Sequence, residues 1–258
     1  MTDAPTARDT LTYGEYLRVP ELLALQTRLS SPPVHGEMLF MIVQQAQELW
    51  FKQILHELRL VIQLLERGEL PEATHVLDRV DRILRMLGDG VEILEALPPM
   101  EFQEFRWLLR TASGFESEQF RELEIASGLN DPEYLKMVGR ILDLPIVRAR
   151  WPVTLHDAFR DCIAPVDPDP IAALVQIYAH PSRYPNLYRL CETLSDYELR
   201  FREWRFHHAQ LVIRVIGDRA PGTAGSSGGA YLDRTLSYRF FPELWEARNK
   251  LVAEVTER

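Results

Sequence analysis

The feature that constrains this chain most is a helical period sustained over three long stretches. From Gly36 to Arg67, Leu39, Phe40, Val43, Ala46, Trp50, Ile54, Leu58 and Ile62 recur at spacings of one, three and four. Such spacing puts them on one face of an α-helix. Pro32-Pro33 upstream, and Gly68 with Pro71 downstream, punctuate the ends. A second helix is predicted from about Pro71 to Ala96, carried by Val76, Val80, Ile83, Leu84, Leu87, Val91, Leu94 and Leu97 and closed by Pro98-Pro99. A third covers 185–216, where Leu187, Leu190, Leu194, Tyr197, Phe201, Trp204, His208, Leu211 and Val215 keep the period until Gly217. Helices this long exceed what a small globular domain needs. They point to a bundle with long antiparallel members.

Shorter helices are predicted near 101–110, 116–127, 131–142, 153–160 and 168–179, with a last one starting near Pro242. No run alternates apolar and polar residues between hairpin turns, so the fold class is all-α. The composition shows no shift that would mark a boundary in the 258 residues, so residues 1–258 are expected to form a single domain, with 1–18 as an N-terminal arm. The start, MTDAPTARDT, is polar and lacks a basic stretch followed by an apolar run, and is expected not to be a signal peptide. Every long apolar stretch is broken by Gln, Glu, Lys or Arg, so no membrane span is expected. Two cysteines, Cys162 and Cys191, fit a reducing cytoplasm better than a disulfide framework. The net charge of -9, with basic residues scattered among acids, gives no footprint for nucleic acid.

Several chemistries leave signatures that are absent. There is no HExxH, no Cys-Cys-His grouping, no GxSxG, no Walker loop and no glycine fingerprint after a strand. These gaps argue against common hydrolases, NTPases and dinucleotide-dependent dehydrogenases. A heme site needs far less sequence: one neutral imidazole as axial ligand and an apolar pocket. Of seven histidines, His208 meets that description, one turn after Trp204 on a long helix and near Phe206 and Leu211. By composition alone, a core or surface histidine is the more ordinary reading. The segment GTAGSSGG is either a flexible linker or an ordered binding loop.

Five segments resemble the tryptophan 2,3-dioxygenase family. They are LTYGEYL (11–17), HGEMLFMIVQQAQELWFKQILHELR (35–59), SGFESEQFRELE (113–124), EWRFHHAQLVIRVIG (203–217) and GTAGSSGGAYLDRTLSYRFFPELWEAR (222–248). They follow the family's order over nearly the whole chain. The resemblance implies an all-helical homotetramer that binds heme b (iron protoporphyrin IX) and inserts O2 across the C2–C3 bond of the indole of L-tryptophan. It places the axial iron ligand on His208, with His207 not a ligand. It places the clamp for the substrate carboxylate on Arg121, whose planar guanidinium suits a carboxylate. It assigns the substrate ammonium to the hydroxyl of Thr223 and the indole ring to Phe40. Tyr13, Tyr16 and Leu17 match the segment that completes the pocket of a neighbouring subunit.

One departure bears on the chemistry. The family's distal histidine, four residues after the matching Phe, is here Gln44. Phe40 and Gln44 share a helix face. A glutamine amide can donate or accept a hydrogen bond but cannot take up a proton near neutral pH. A second departure is Glu116, an acid where the family usually has Gln. The resemblance therefore leaves three readings open. The first is dioxygenation to N-formylkynurenine. The second is monooxygenation at indole C2 of tryptophan or a substituted tryptophan in a biosynthetic pathway. The third is a heme- and tryptophan-binding homologue without turnover, against which the retention of His208, Arg121 and Thr223 together speaks.

Overall fold

The computed structural model describes residues 10–217 and 234–256. Two short helices, α1 (Tyr13–Leu17) and α2 (Val19–Leu23), lead into the long α3 (His35–Glu66) and α4 (Leu70–Glu95). Then come α5 (Pro99–Arg106), with a 3₁₀ turn at Trp107–Leu109, and a second 3₁₀ turn at Gly114–Glu116. Five helices follow: α6 (Glu118–Ser127), α7 (Pro132–Val138), α8 (Leu144–Arg150), α9 (Leu155–Ile163) and α10 (Pro170–Ala179). The long α11 (Pro185–Ile216) and α12 (Pro242–Thr256) complete the order. No strand occurs among the described residues, so the fold is all-α.

The three long helices start and stop within a residue or so of where their periodicity does. Only Arg67–Glu69 separates α3 from α4, and Gly68 takes a positive φ of 74° there while its N–H donates to the Leu65 carbonyl at 2.9 Å. So short a turn makes the two helices antiparallel neighbours. The direction of α11 is the reverse of α3. Near its start Arg189 pairs with Asp78 at 3.0 Å, and further along Arg200 pairs with Asp81 at 3.0 Å. At its other end Leu211 and Val215 share a cavity wall with Leu94 and Leu97. α11 therefore runs parallel to α4, which requires a long connection. Helices α5–α10 form that connection.

Two glycines permit close approaches between elements. A Cβ on Gly36, in the first turn of α3, would collide with the Leu97 side chain just past α4. Gly128 ends α6 with a φ of 109°, and a Cβ there would collide with His156. The helix α8 escaped the periodicity reading, although its start carries a helix signal. The Asp143 side chain caps the Ile146 N–H, and Pro145 lies in the first turn.

Candidate functional site

Between α3 and α11, where both emerge beyond the packed core, lies a cavity of about 530 Å³. Its walls come from α3, the end of α4, α5, the 113–117 turn, α6, α11 and Thr235. Most of the lining is apolar: Phe40, Phe51, Leu94, Leu97, Phe102, Leu109, Phe120, Leu211 and Val215 are among its members. Four sequence-assigned residues meet there: His208, Gln44, Phe40 and Arg121.

His208 projects from α11 into this cavity, and its ring lies parallel to that of Trp204 one turn earlier, at 5.2 Å between centroids and 2° between planes. Trp204 is itself wedged by Phe120 at 4.7 Å and Phe51 at 6.1 Å, so the imidazole plane is set by packing. Burial, and then the positive charge of Arg121, push the His208 pKa down to about 4. At neutral pH the ring is a neutral imidazole with a nitrogen lone pair available to a metal. His207 does not line the cavity, and Phe206, a neighbour in sequence, is turned away and half exposed. A neutral imidazole facing a largely apolar chamber fits the requirements of an axially ligated heme.

Opposite, α3 contributes Phe40, Gln44 and Gln47 at successive turns of one face. The Phe40 ring is braced by Phe102 at 5.6 Å and Phe105 at 5.7 Å. Arg121 is buried on α6, with its guanidinium 4.6 Å over the Phe120 ring and 5.3 Å over the Phe115 ring. Glu116 also borders the cavity, but its carboxylate accepts the Ser113 N–H at 3.1 Å while the Ser113 side chain accepts the Phe115 N–H at 3.3 Å. The acid at this position caps the 3₁₀ turn that forms one wall.

Tyr13, Tyr16 and Leu17 do not line the cavity within one chain, where they are 78%, 72% and 43% exposed. Thr223 and the glycine-rich segment lie outside the described residues.

The sequence reading missed a buried ionic cluster beside Arg121. Glu124 has no exposure, and its two oxygens accept from three donors, each at 2.7 Å: Arg121 Nη1, Arg205 Nη2 and Tyr134 Oη. Arg205 lines the cavity and is 3% exposed. A readable trace existed: Arg121 and Glu124 are three apart on a helix, a pairing distance. Nothing in the sequence said that this face turns inward.

The comparisons with known proteins bear on the chain as a whole. The family described as tryptophan 2,3-dioxygenase matches residues 3–138 and 169–251. A tryptophan 2,3-dioxygenase of Bacillus anthracis is 40% identical over 95% of this chain and 94% of its own length. One from a Nocardioides species is 41% identical over 93% of this chain and 95% of its own. One from Caulobacter vibrioides is 39% identical over 93% of this chain and 98% of its own. Taken with the helical fold, these matches establish that the chain belongs to the tryptophan 2,3-dioxygenase family.

Proposed function

We propose that this protein is a heme-dependent oxygenase that inserts oxygen from O2 into the indole ring of L-tryptophan, giving N-formylkynurenine. The observation that carries the reading is the convergence of His208, Gln44, Phe40 and Arg121 on one largely apolar cavity, in a chain about 40% identical to tryptophan 2,3-dioxygenases.

Heme b would be the cofactor, held by the imidazole of His208; bound and reduced, it would supply the iron at which O2 is activated. The chain's own residues do the rest. The imidazole of His208 stays neutral because it is buried beside Arg121, and Trp204 fixes its plane. Arg121 receives the substrate carboxylate, as a planar guanidinium held by two aromatic rings suits a bidentate partner. Phe40 offers its ring to the indole, and Thr223 completes the clamp at the ammonium. The apolar walls exclude water from the reacting centre.

Gln44 favours keeping a second reading beside the first. It borders the cavity at the position that the resemblance aligns with a histidine, and a neutral amide can orient an indole N–H without accepting its proton. The second reading is monooxygenation at indole C2 of tryptophan or a substituted tryptophan. Mass spectrometry of the product formed with isotopically labelled O2 separates the two. N-formylkynurenine carrying two labelled atoms, formed without reductant beyond initial heme reduction, is the expected result. A product carrying a single labelled atom and formed only with continued supply of reductant, or one carrying a single unlabelled atom and formed only with added peroxide, rejects dioxygenation.

We further propose a homotetramer in which the arm around Tyr13–Leu17 reaches a neighbouring subunit. Supporting it, Leu11, Tyr13, Tyr16, Leu23 and Leu25 leave a run of apolar surface that one chain does not cover. One domain of this kind, working in a reducing cytoplasm, accords with Cys162 and Cys191 remaining free thiols. No described helix is long and apolar enough to cross a membrane.

A further inference from the structure

We infer that Glu124 is a positioning residue for the substrate carboxylate, acting through Arg121; the inference rests on the reading of Arg121 as the carboxylate clamp. Arg121 is constrained on two sides. Phe120 and Phe115 hold its guanidinium in cation–π contact at 4.6 and 5.3 Å, while Glu124 takes Nη1 along an edge at 2.7 Å. A guanidinium with its plane and one edge fixed meets a carboxylate in a defined orientation.

Glu124 is in turn held so that it cannot swing with Arg121. Its other oxygen accepts Arg205 Nη2 at 2.7 Å, and Arg205 Nη1 reaches the Thr235 carbonyl at 3.3 Å. The rings of Phe201, Tyr238 and Phe240 surround the Arg205 guanidinium at 5.4–5.8 Å. Tyr134 gives Glu124 a third bond, and its phenol remains a donor. Burial, and then the negative charge of Glu124 itself, hold the Tyr134 pKa well above the usual phenol value. An ionised carboxylate only accepts hydrogen bonds, and here every neighbour donates. Glu124→Gln would remove the charge and turn an amide donor either towards Arg205 or towards the Arg121 and Tyr134 donors, so the edge of Arg121 would be held by a weaker partner or by none.

The test is an optical titration of the heme-loaded protein with L-tryptophan and with tryptamine, which keeps the indole and ammonium but has no carboxylate. Glu124→Gln is expected to weaken L-tryptophan by roughly tenfold or more, the scale of one charged hydrogen bond. Tryptamine should stay within about twofold, because it does not use the clamp. A purely structural role for Glu124 would weaken both ligands alike, and that result overturns the inference; so does unchanged tryptophan binding. If Glu124→Gln does not fold, Tyr134→Phe decides, since it removes one donor and keeps both ion pairs. It should weaken tryptophan by about threefold and leave tryptamine alone, and no selective loss there sinks the proposal. Arg121→Ala distinguishes the two levels of the argument. Selective loss in Arg121→Ala with none in Glu124→Gln removes only the role of Glu124. Absence of selective loss in Arg121→Ala removes the clamp, and this inference with it.

Discussion

The two ends of the long-helix bundle are built by the same three helices and do opposite things. At one end Ile54, Leu58 and Val61 of α3, Leu77 and Val80 of α4, and Leu190 and Leu194 of α11 are almost wholly shielded from solvent, and all are aliphatic. At the other end the same helices border a cavity of about 530 Å³, and their inward positions hold Gln44, Gln47, Arg205 and His208. The helical period runs unbroken through both. A period specifies which face turns inward; the residue types on that face decide whether it is filled by side chains or left to bind something. Close packing of branched aliphatics leaves no room, whereas aromatic and polar side chains that satisfy one another laterally can wall a chamber.

The comparison breaks most decisively at His208. His208→Ala should remove most of the heme from the purified protein, because no other described imidazole lines the cavity. The helix itself should survive, since alanine suits a helix interior and the ring borders a void. Absorbance in the Soret region checks the first expectation, and far-ultraviolet circular dichroism the second. An unchanged heme spectrum would take the axial ligand away from His208. The matching change at the sealed end is Leu58→Ala, at a position with no exposure. Truncation there should cost about 2–5 kcal/mol of stability in a denaturant melt, from lost burial and the hole left behind. Tryptophan affinity should remain within about twofold, as distant sites act nearly independently. A large loss of affinity would mean that the two ends are mechanically coupled and that the contrast drawn between them is too sharp.

How far the sequence could be read follows the same division. At the sealed end the apolar spacing alone identifies the inward residues: Val76, Val80, Ile83, Leu84 and Leu87 are all buried as the period of α4 requires. At the cavity end the apolar period of α3 misleads. It nominates Ala46 and Trp50, but the buried positions are Gln47 and Phe51, because a polar residue on the working face breaks the apolar stripe. The burial of Glu124, Arg205 and Tyr134 could not be read for a related reason. Charged residues on a helix are ordinarily solvated, and only the meeting of α6 with α7 and α11 buries these together. Periodicity put Phe40 and His208 on the inward faces of their helices, but the roles proposed for them and for Arg121 came from the resemblance. The helix α8 had a capping signal that went unread, and Tyr13, Tyr16 and Leu17 have no partner within one chain that sequence could name.

The smallest expected effect concerns Gln44, and it sharpens the comparison most finely, because it changes the working face without changing its shape. Both proposed outcomes use the same clamp and the same Phe40 wall; they differ in whether one or two oxygen atoms reach the indole. A glutamine amide can hold the indole N–H or polarise oxygen, but it carries no titratable proton near neutral pH. Histidine at this position, on the cavity wall shared with His208, adds a group that can move a proton while occupying similar volume. Gln44→His is therefore expected to shift the ratio of doubly to singly oxygenated product by a few-fold, a barrier difference of about 1 kcal/mol. Quantifying both products by mass spectrometry after a single turnover measures it. The affinity for tryptophan should change little, since Arg121 and Phe40 are untouched. If the ratio stays the same while the overall rate changes, Gln44 governs approach or orientation and the fate of the second oxygen atom is decided elsewhere on the cavity wall, with Gln47, the next cavity-lining amide along α3, as the next position to replace.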